Sequence, residues 1–231
     1  MVLMRTNKRI NRFIYISVVM VVLGLCGSGV PLFSQEILTA SQFFDQMSER
    51  YEFIQDYEAD ITITQPDSVL TGVIYYKNPN RIRINFTEPE DQVIVSDGSL
   101  LTVYLPEQSV TLNQRLSGSD SDAQGLRLFR QGYSIAYKET PGYVPLEADS
   151  REQVIKLNLV WKNTDEGFRQ IEMSVGENGF IRRLSGITKD YDEIQIDLEN
   201  LKTNQNIPEA RFDYESPSSS YVIDNFIFPD E

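Results

Sequence analysis

A mainly β domain behind one N-terminal helix is the fold the sequence predicts, and three observations predict it. Alternation of apolar and polar residues with a period of two recurs in short segments between residues 57 and 202. Tight-turn signals separate those segments, among them Asp97-Gly98, Asp165-Glu166-Gly167 and Glu177-Asn178-Gly179. One long stretch, residues 39–55, carries helical spacing instead. Consecutive short strands joined by tight turns mean an antiparallel meander, here in a single domain over residues 35–231.

The first 34 residues stand apart from that domain. Arg5, Lys8, Arg9 and Arg12 precede an apolar run from Phe13 to Leu25, and the small residues Gly27, Ser28 and Ser34 follow before the first acid, Glu36. This is the pattern of a secretory signal peptide, with a run too short for a comfortable membrane span, and it places cleavage after Ser34. Cys26 lies inside the leader behind the bulky Leu25, where a lipoprotein signal wants a small residue. Loss with the leader is therefore the expectation for Cys26, and anchoring through it the alternative.

Each later element has its own signal. In residues 39–55, Phe43, Phe44, Met47, Tyr51 and Ile54 recur on one helical face, and Thr39 or Ser41 can cap the start. Tyr57, Ala59, Ile61 and Ile63 then alternate with Glu58, Asp60 and Thr62. The same period marks strands over residues 70–76, 82–86, 92–96, 101–105 and 110–112. Residues 117–125 are small and polar, and Leu126, Leu128 and Phe129 suggest a short apolar helix before a connection punctuated by Pro141 and Pro145. Strands resume at residues 154–161, 170–175, 181–189 and 193–202. Residues 216–231 form a C-terminal extension that can add an edge strand or cover an opening.

The strand faces hold more apolar residues than one amphipathic helix can cover. Either the sheet curls into a barrel that packs on itself, or it encloses a cavity, and periodicity is compatible with both.

Composition excludes several kinds of chemistry. The chain has no His and one Cys among 231 residues, so it lacks the means for a Ser-His-Asp triad, a His-ligated zinc or a thiolate cage. It carries 21 basic and 34 acidic residues, a formal net charge of −13. The leader holds four of the basic residues and no acid, which leaves 17 against 34 on the exported part, or −17. Such a surface is a poor partner for nucleic acid.

Ordered motifs carry a family resemblance. Gly72 leads one strand, and Asn78-Pro79-Asn80-Arg81-Ile82-Arg83-Ile84-Asn85-Phe86-Thr87-Glu88-Pro89 follows. Next come Val95-Ser96-Asp97-Gly98-Ser99-Leu100-Leu101-Thr102-Val103-Tyr104, later Val175-Gly176-Glu177-Asn178-Gly179, and finally Ala210-Arg211-Phe212-Asp213-Tyr214 before Pro217. This ordered set behind a signal peptide resembles the outer-membrane lipoprotein carrier (LolA) family over most of residues 39–217.

The resemblance implies an incomplete, strongly curved antiparallel β-barrel, with the N-terminal helix and a short lid helix over a hydrophobic cavity. It implies a periplasmic, monomeric, non-enzymatic carrier without cofactor or metal, in a bacterium with two membranes. Such a carrier takes acylated lipoproteins from an inner-membrane ABC transporter of the lipoprotein-sorting system and hands them to an outer-membrane acceptor. On this reading Ile82, Ile84 and Phe86 fall on the cavity strand, Met47 and Tyr51 on the helix facing it, and Leu126 and Phe129 on the lid. Ile61, Ile63, Ile74 and Tyr76 line the neighbouring strands, and Leu101, Val103 and Trp161 complete the lipid-binding set. The same residues also read as ordinary core, because buried apolar strand faces are the common case. The family's arginine before the strand-opening proline, tied to lid closure and release, is Asn78 here. Asn78 is thus the candidate for lid control, with hydrogen bonds but no charge assistance.

Other constellations are weaker. Asp120-Ser121-Asp122-Ala123-Gln124-Gly125 copies half a calcium loop, but Gln131 stands where a bidentate Glu is needed. The acids Glu88/Glu90/Asp91 and Asp190/Asp192/Glu193 could serve a glycoside hydrolase, yet in a chain with 34 acids such groups read as solvated turns. Arg81, Arg83, Arg182 and Arg183 are expected to point outward as solvated ion-pair partners. The alternative to a carrier is an exported sensor or regulator whose cavity reads a lipid signal.

Overall fold

The computed structural model describes residues 38–116, 126–162 and 167–226. The expected leader with Cys26 and Ser34, the run Asp120-Ser121-Asp122 and its loop, most of the turn at Asp165-Glu166-Gly167, and the last five residues lie outside the described residues.

Helix α1 spans Ala40–Glu52. Thr39 caps it as a capping box: its hydroxyl accepts the Gln42 N–H at 3.2 Å, while its own N–H donates to Gln42 Oε1 at 2.9 Å. Ala40, Phe44 and Met47 form its buried stripe, as the spacing predicts.

Thirteen strands form a single curved sheet among the described residues. In chain order they are β1 (Asp56–Gln65), β2 (Ser68–Lys77), β3 (Arg81–Glu88), β4 (Val93–Ser96), β5 (Leu100–Leu105) and β6 (Val110–Arg115). After helix α2 (Leu126–Gly132) come β7 (Tyr133–Tyr137), the two-residue β8 (Val144–Pro145), β9 (Gln153–Trp161), β10 (Phe168–Gly176), β11 (Ile181–Thr188), β12 (Glu193–Thr203) and β13 (Tyr221–Asp224). The spatial order is β13-β6-β5-β4-β3-β2-β1-β12-β11-β10-β9-β7, with β8 paired to β9 off this path. Two meanders therefore meet where β1 pairs with β12, and β13 on β6 is a parallel pair. The sheet is mainly antiparallel and open, with β13 and β7 at its ends, as expected for an incomplete barrel.

Local chemistry explains the sharpest turn. Asp97 Oδ1 accepts the N–H groups of Ser99 at 2.7 Å and Leu100 at 2.9 Å, and Gly98 takes φ 97°, which lets β4 turn into β5.

Strands β7 and β8 escaped the sequence reading. Residues 133–137 look like part of a proline-punctuated connection, yet they pair with β9 as an edge strand. The tail supplies β13, so of the two roles open to it the structure shows the edge strand for Tyr221–Asp224.

The tail also covers the outer face of the sheet. Asp56, 3 % exposed, accepts the N–H groups of Gln205 at 2.6 Å and Ile207 at 3.2 Å, which holds the chain as it leaves β12. Lys77 Nζ donates to the Ile207 carbonyl at 2.6 Å, and Arg81 pairs with Glu209 at 2.9 Å. Phe212, in a 3-10 turn over Glu209–Phe212, is buried, as are Val93 and Val95 on the outer side of β4. Ser220 and Thr111 hydroxyls meet at 2.8 Å beside β13.

The four arginines point outward but are not simply solvated. Arg83 Nη1 donates to the carbonyls of Arg211 at 2.9 Å and Asp213 at 3.1 Å, and its guanidinium lies 5.5 Å from the Tyr214 ring centre. Arg182 and Arg183 share the buried carboxylate of Asp197 at 2.9 and 2.7 Å, with Glu152, Glu199 and Glu147 around them. The outer face is a polar seam closed by the chain itself.

Candidate functional site

Register puts one apolar face across nearly the whole sheet. Directly opposed residues of paired strands share a face, so the row can be followed from strand to strand. Leu157 opposes Met173, which opposes Leu184, which opposes Ile196 and then Ile63. Two same-face positions along β1 from Ile63, Ala59 opposes Ile74, then Ile84, then Ile94, then Val103 and Leu112. This is the inner face of the curve.

Helix α1 divides that face in two. Over β7 and β9–β11 it packs down hard: Phe44, Met47, Leu157, Leu159 and Met173 are 0–3 % exposed. Tyr133 and Val175 join this cluster, and α2 leans on it through Leu126 and Phe129. Phe129 meets Tyr133 with ring centres 5.9 Å apart, and Arg130 ties α2 to α1 through Asp45 at 3.1 Å.

Over β1–β4 the apolar cluster is built by strands alone. Ala59, Ile61, Ile74, Ile84 and Phe86 are buried, while Ile63, Leu70, Ile82 and Ile94 keep part of their surface open. Leu101 and Val103 extend the row on β5, also half-buried. Uncovered aliphatic surface of this extent is what an apolar ligand would remove from water.

The candidate lipid-binding residues thus separate into two sets. Ile61, Ile63, Ile74, Ile82, Ile84 and Phe86 come together in the strand-built cluster, with Tyr76 at its end. Met47, Tyr51, Leu126, Phe129 and Trp161 belong to the helix-covered cluster. Tyr51 there has a fixed polar bond: its hydroxyl accepts the Ile181 N–H at 2.9 Å, while burial pushes its pKa up to about 12 against that bond. Sequence reasoning left Leu70, Ile94 and Tyr57 out of the candidate lining. Their alternation was visible, and the register across β1–β4 is what adds them.

Asn78 lies at the tip of β2, exposed, and its N–H donates to the Gln55 carbonyl at 2.8 Å. Helix α2 contacts α1 and β7, the strand that ends the order on the far side of β1 from β2.

A cleft of about 460 Å³ opens beside Leu198 and Leu201, with Arg151, Glu152, Arg182 and Glu199 on its other wall. Arg182 is already saturated by acids, so this cleft offers no charge to a ligand from that side chain. Among the described residues no three His, Cys, Asp or Glu side chains are placed to hold a metal ion, and no helix is long and apolar enough to cross a membrane.

Comparison with known proteins agrees with this architecture. The family described as outer membrane lipoprotein carrier protein LolA matches residues 57–215. An outer-membrane lipoprotein carrier protein of Bordetella avium is 23 % identical over 162 residues, covering 69 % of this chain and 73 % of that protein. One from Leptothrix cholodnii is 26 % identical over 200 residues, covering 78 % and 85 %. Among solved structures, an uncharacterized conserved protein from Thermus thermophilus superposes with a TM-score of 0.54 at 14 % identity, covering 80 % of this chain and 98 % of that one. MucB of Pseudomonas aeruginosa, in its complex with MucA, gives 0.51 at 12 % identity, covering 80 % and 63 %. With a curved open sheet, an apolar inner face and a family match over most of its length, the chain belongs to the outer membrane lipoprotein carrier protein LolA family.

Proposed function

We propose that the chain is a periplasmic carrier that shelters the acyl chains of lipoproteins on the inner face of β1–β5 and moves them from the inner to the outer membrane. The observation that carries this reading is the division of one continuous apolar face: α1 seals the β7 and β9–β11 half, and the β1–β5 half keeps half-exposed aliphatic side chains. A folded protein gains nothing from leaving such a row open unless something covers it.

The energetics make a carrier necessary. At about 0.8 kcal/mol per buried methylene, an acyl chain of roughly 15 methylenes costs about 12 kcal/mol to bring into water. Desorption without a cavity is correspondingly slow. The carrier performs no bond chemistry, and a chain without histidine loses nothing by that. The acid excess keeps a protein with an apolar face away from anionic membrane surfaces, so loading and unloading run through protein partners: an inner-membrane ABC transporter and an outer-membrane acceptor. Asn78 is the position proposed to govern release.

The test is release of a lipoprotein in soluble form from spheroplasts incubated with the exported protein. No release at all would refute the carrier reading. A ligand-dependent pull-down of an inner-membrane regulatory protein in its place would favour the sensor. Ile84→Glu serves as the site control. It should abolish acyl binding while lowering the melting temperature less than in proportion, whereas equal loss of both would make Ile84 an ordinary core residue.

A further inference from the structure

Three tyrosines gather at one end of the inner face. Tyr51 sits in the last turn of α1, Tyr57 opens β1 and Tyr76 lies near the end of β2. Register places Tyr57 opposite Tyr76, and their rings stack with centres 5.1 Å apart and 22° between planes. Both neighbours have hydroxyls fixed by a backbone partner, Tyr76 as donor and Tyr51 as acceptor with its own proton outside that bond. Tyr51 accepts the Ile181 N–H, and Tyr76 donates to the Pro79 carbonyl at 3.2 Å.

Tyr57 is different. Its ring packs against the cluster of Ala59, Ile61 and Ile74, yet its hydroxyl makes no hydrogen bond with any described residue. Nor is that oxygen sealed away: among the described residues the enclosed side-chain atoms without a partner are Ser48 Oγ and Asn158 Oδ1. Burial raises the Tyr57 pKa well above the ordinary phenol value, and Tyr51 and Tyr76 raise it further, so at neutral pH the group is a protonated donor. A donor held among aliphatic side chains and not fully enclosed is costly until something accepts from it.

We propose that the Tyr57 hydroxyl is the polar anchor of the inner face, donating a hydrogen bond to the carbonyl of an ester- or amide-linked acyl chain whose methylenes run from there across β2–β5. This rests on the acyl-chain reading above and narrows the ligand class to acyl groups presented with their carbonyl. The dimensions agree. From β1 to β5 is four strand spacings, about 19 Å, against the ~15 Å that one leaflet of a ~30 Å hydrocarbon core allows an acyl chain. The path is paved by Ile74, Ile84, Ile94 and Val103, opposed in one row.

The experiment compares two probes on the exported protein: dipalmitoylglycerol, whose chains are ester-linked, and its dialkyl ether analogue, which lacks the carbonyls. A hydrogen bond of about 0.5–1.5 kcal/mol corresponds to a roughly 2- to 12-fold preference for the ester. Tyr57→Phe should remove that preference by weakening the ester alone and leave ether affinity unchanged. Tyr76→Phe should leave the preference in place, because the Tyr76 hydroxyl is engaged elsewhere. Equal affinity of wild type for ester and ether, or equal loss of both in Tyr57→Phe, overturns the anchor while the acyl-chain reading stands. Failure of wild type to bind either probe overturns both. The wild-type comparison needs no variant and decides the matter even where Tyr57→Phe lowers stability.

Discussion

Gly72 is the point at which the sheet tolerates least. It lies in β2 beside the irregularity in the β2–β3 register, opposite Phe86 on one side and Ile61 on the other. A Cβ at this position would stand 2.3 Å from the Asn85 carbonyl oxygen and 2.8 Å from Phe86 Cα. Both are backbone atoms of the adjacent strand, so no side-chain rotation relieves the clash and β3 itself must move. Overpacking of a tight site costs about 1–3 kcal/mol, and the upper end applies where backbone is struck. In a domain of this size each kcal/mol lowers Tm by about 2–4 °C, so Gly72→Ala should lower it by roughly 6–12 °C. The displacement falls on Phe86 and Ile61, and acyl-probe affinity should fall with it. Circular dichroism melts and probe titration on the same preparations measure both, with Val69→Ala, at an exposed position of the same strand, as control. A Tm within about 2 °C of wild type would refute the close-approach argument.

The two halves of the inner face should respond differently to truncation. Met173→Ala removes a fully buried side chain under α1 and should cost about 2–5 kcal/mol in urea unfolding, with acyl binding intact in the folded fraction. Ile94→Ala, on the open half, should cost less than about 2 kcal/mol and weaken binding; the reverse pattern would contradict the division. Acid should act partly through Asp97. Burial pushes its carboxyl up, but the N–H groups of Leu100 and Ser99, the Ser99 hydroxyl and Arg81 outweigh that and hold it below the usual range. Its contribution is complete above the unfolded value and is lost as pH falls through the lower folded one. Asp97→Asn should therefore flatten the Tm decline between about pH 4 and pH 2 and run parallel to wild type above about pH 5. Identical acid limbs would count against it.

Periodicity read most strands because each buries one face: Ile82, Ile84 and Phe86 against Arg81, Arg83 and Asn85 is unambiguous at short range. It failed on β13, where Tyr221, Val222, Ile223 and Asp224 are all exposed and no alternation exists to read. It failed on β7 because five residues between a short helix and two prolines are too few to outweigh the turn signals. The outward direction of Arg83 was legible, but its partners at Arg211 and Asp213 lie more than 120 residues away in sequence and no local pattern announces them. The candidate site was legible as composition and not as division. That Met47 belongs to a sealed cluster while Ile82 and Ile94 stay half-open depends on which half of the sheet α1 covers, a tertiary fact.

The tail that runs from β12 over the back of the sheet to β13 acts like a band around an arch. It leaves the sheet at Thr203, is gripped at Asp56, Lys77, Arg81 and Arg83, and is tied off at β6, past five intervening strands. A band on the outside of an arch goes taut when the arch tightens and slackens when it opens. The length of this segment therefore limits how far β1–β6 can curl, which sets a least width for the space in front of them.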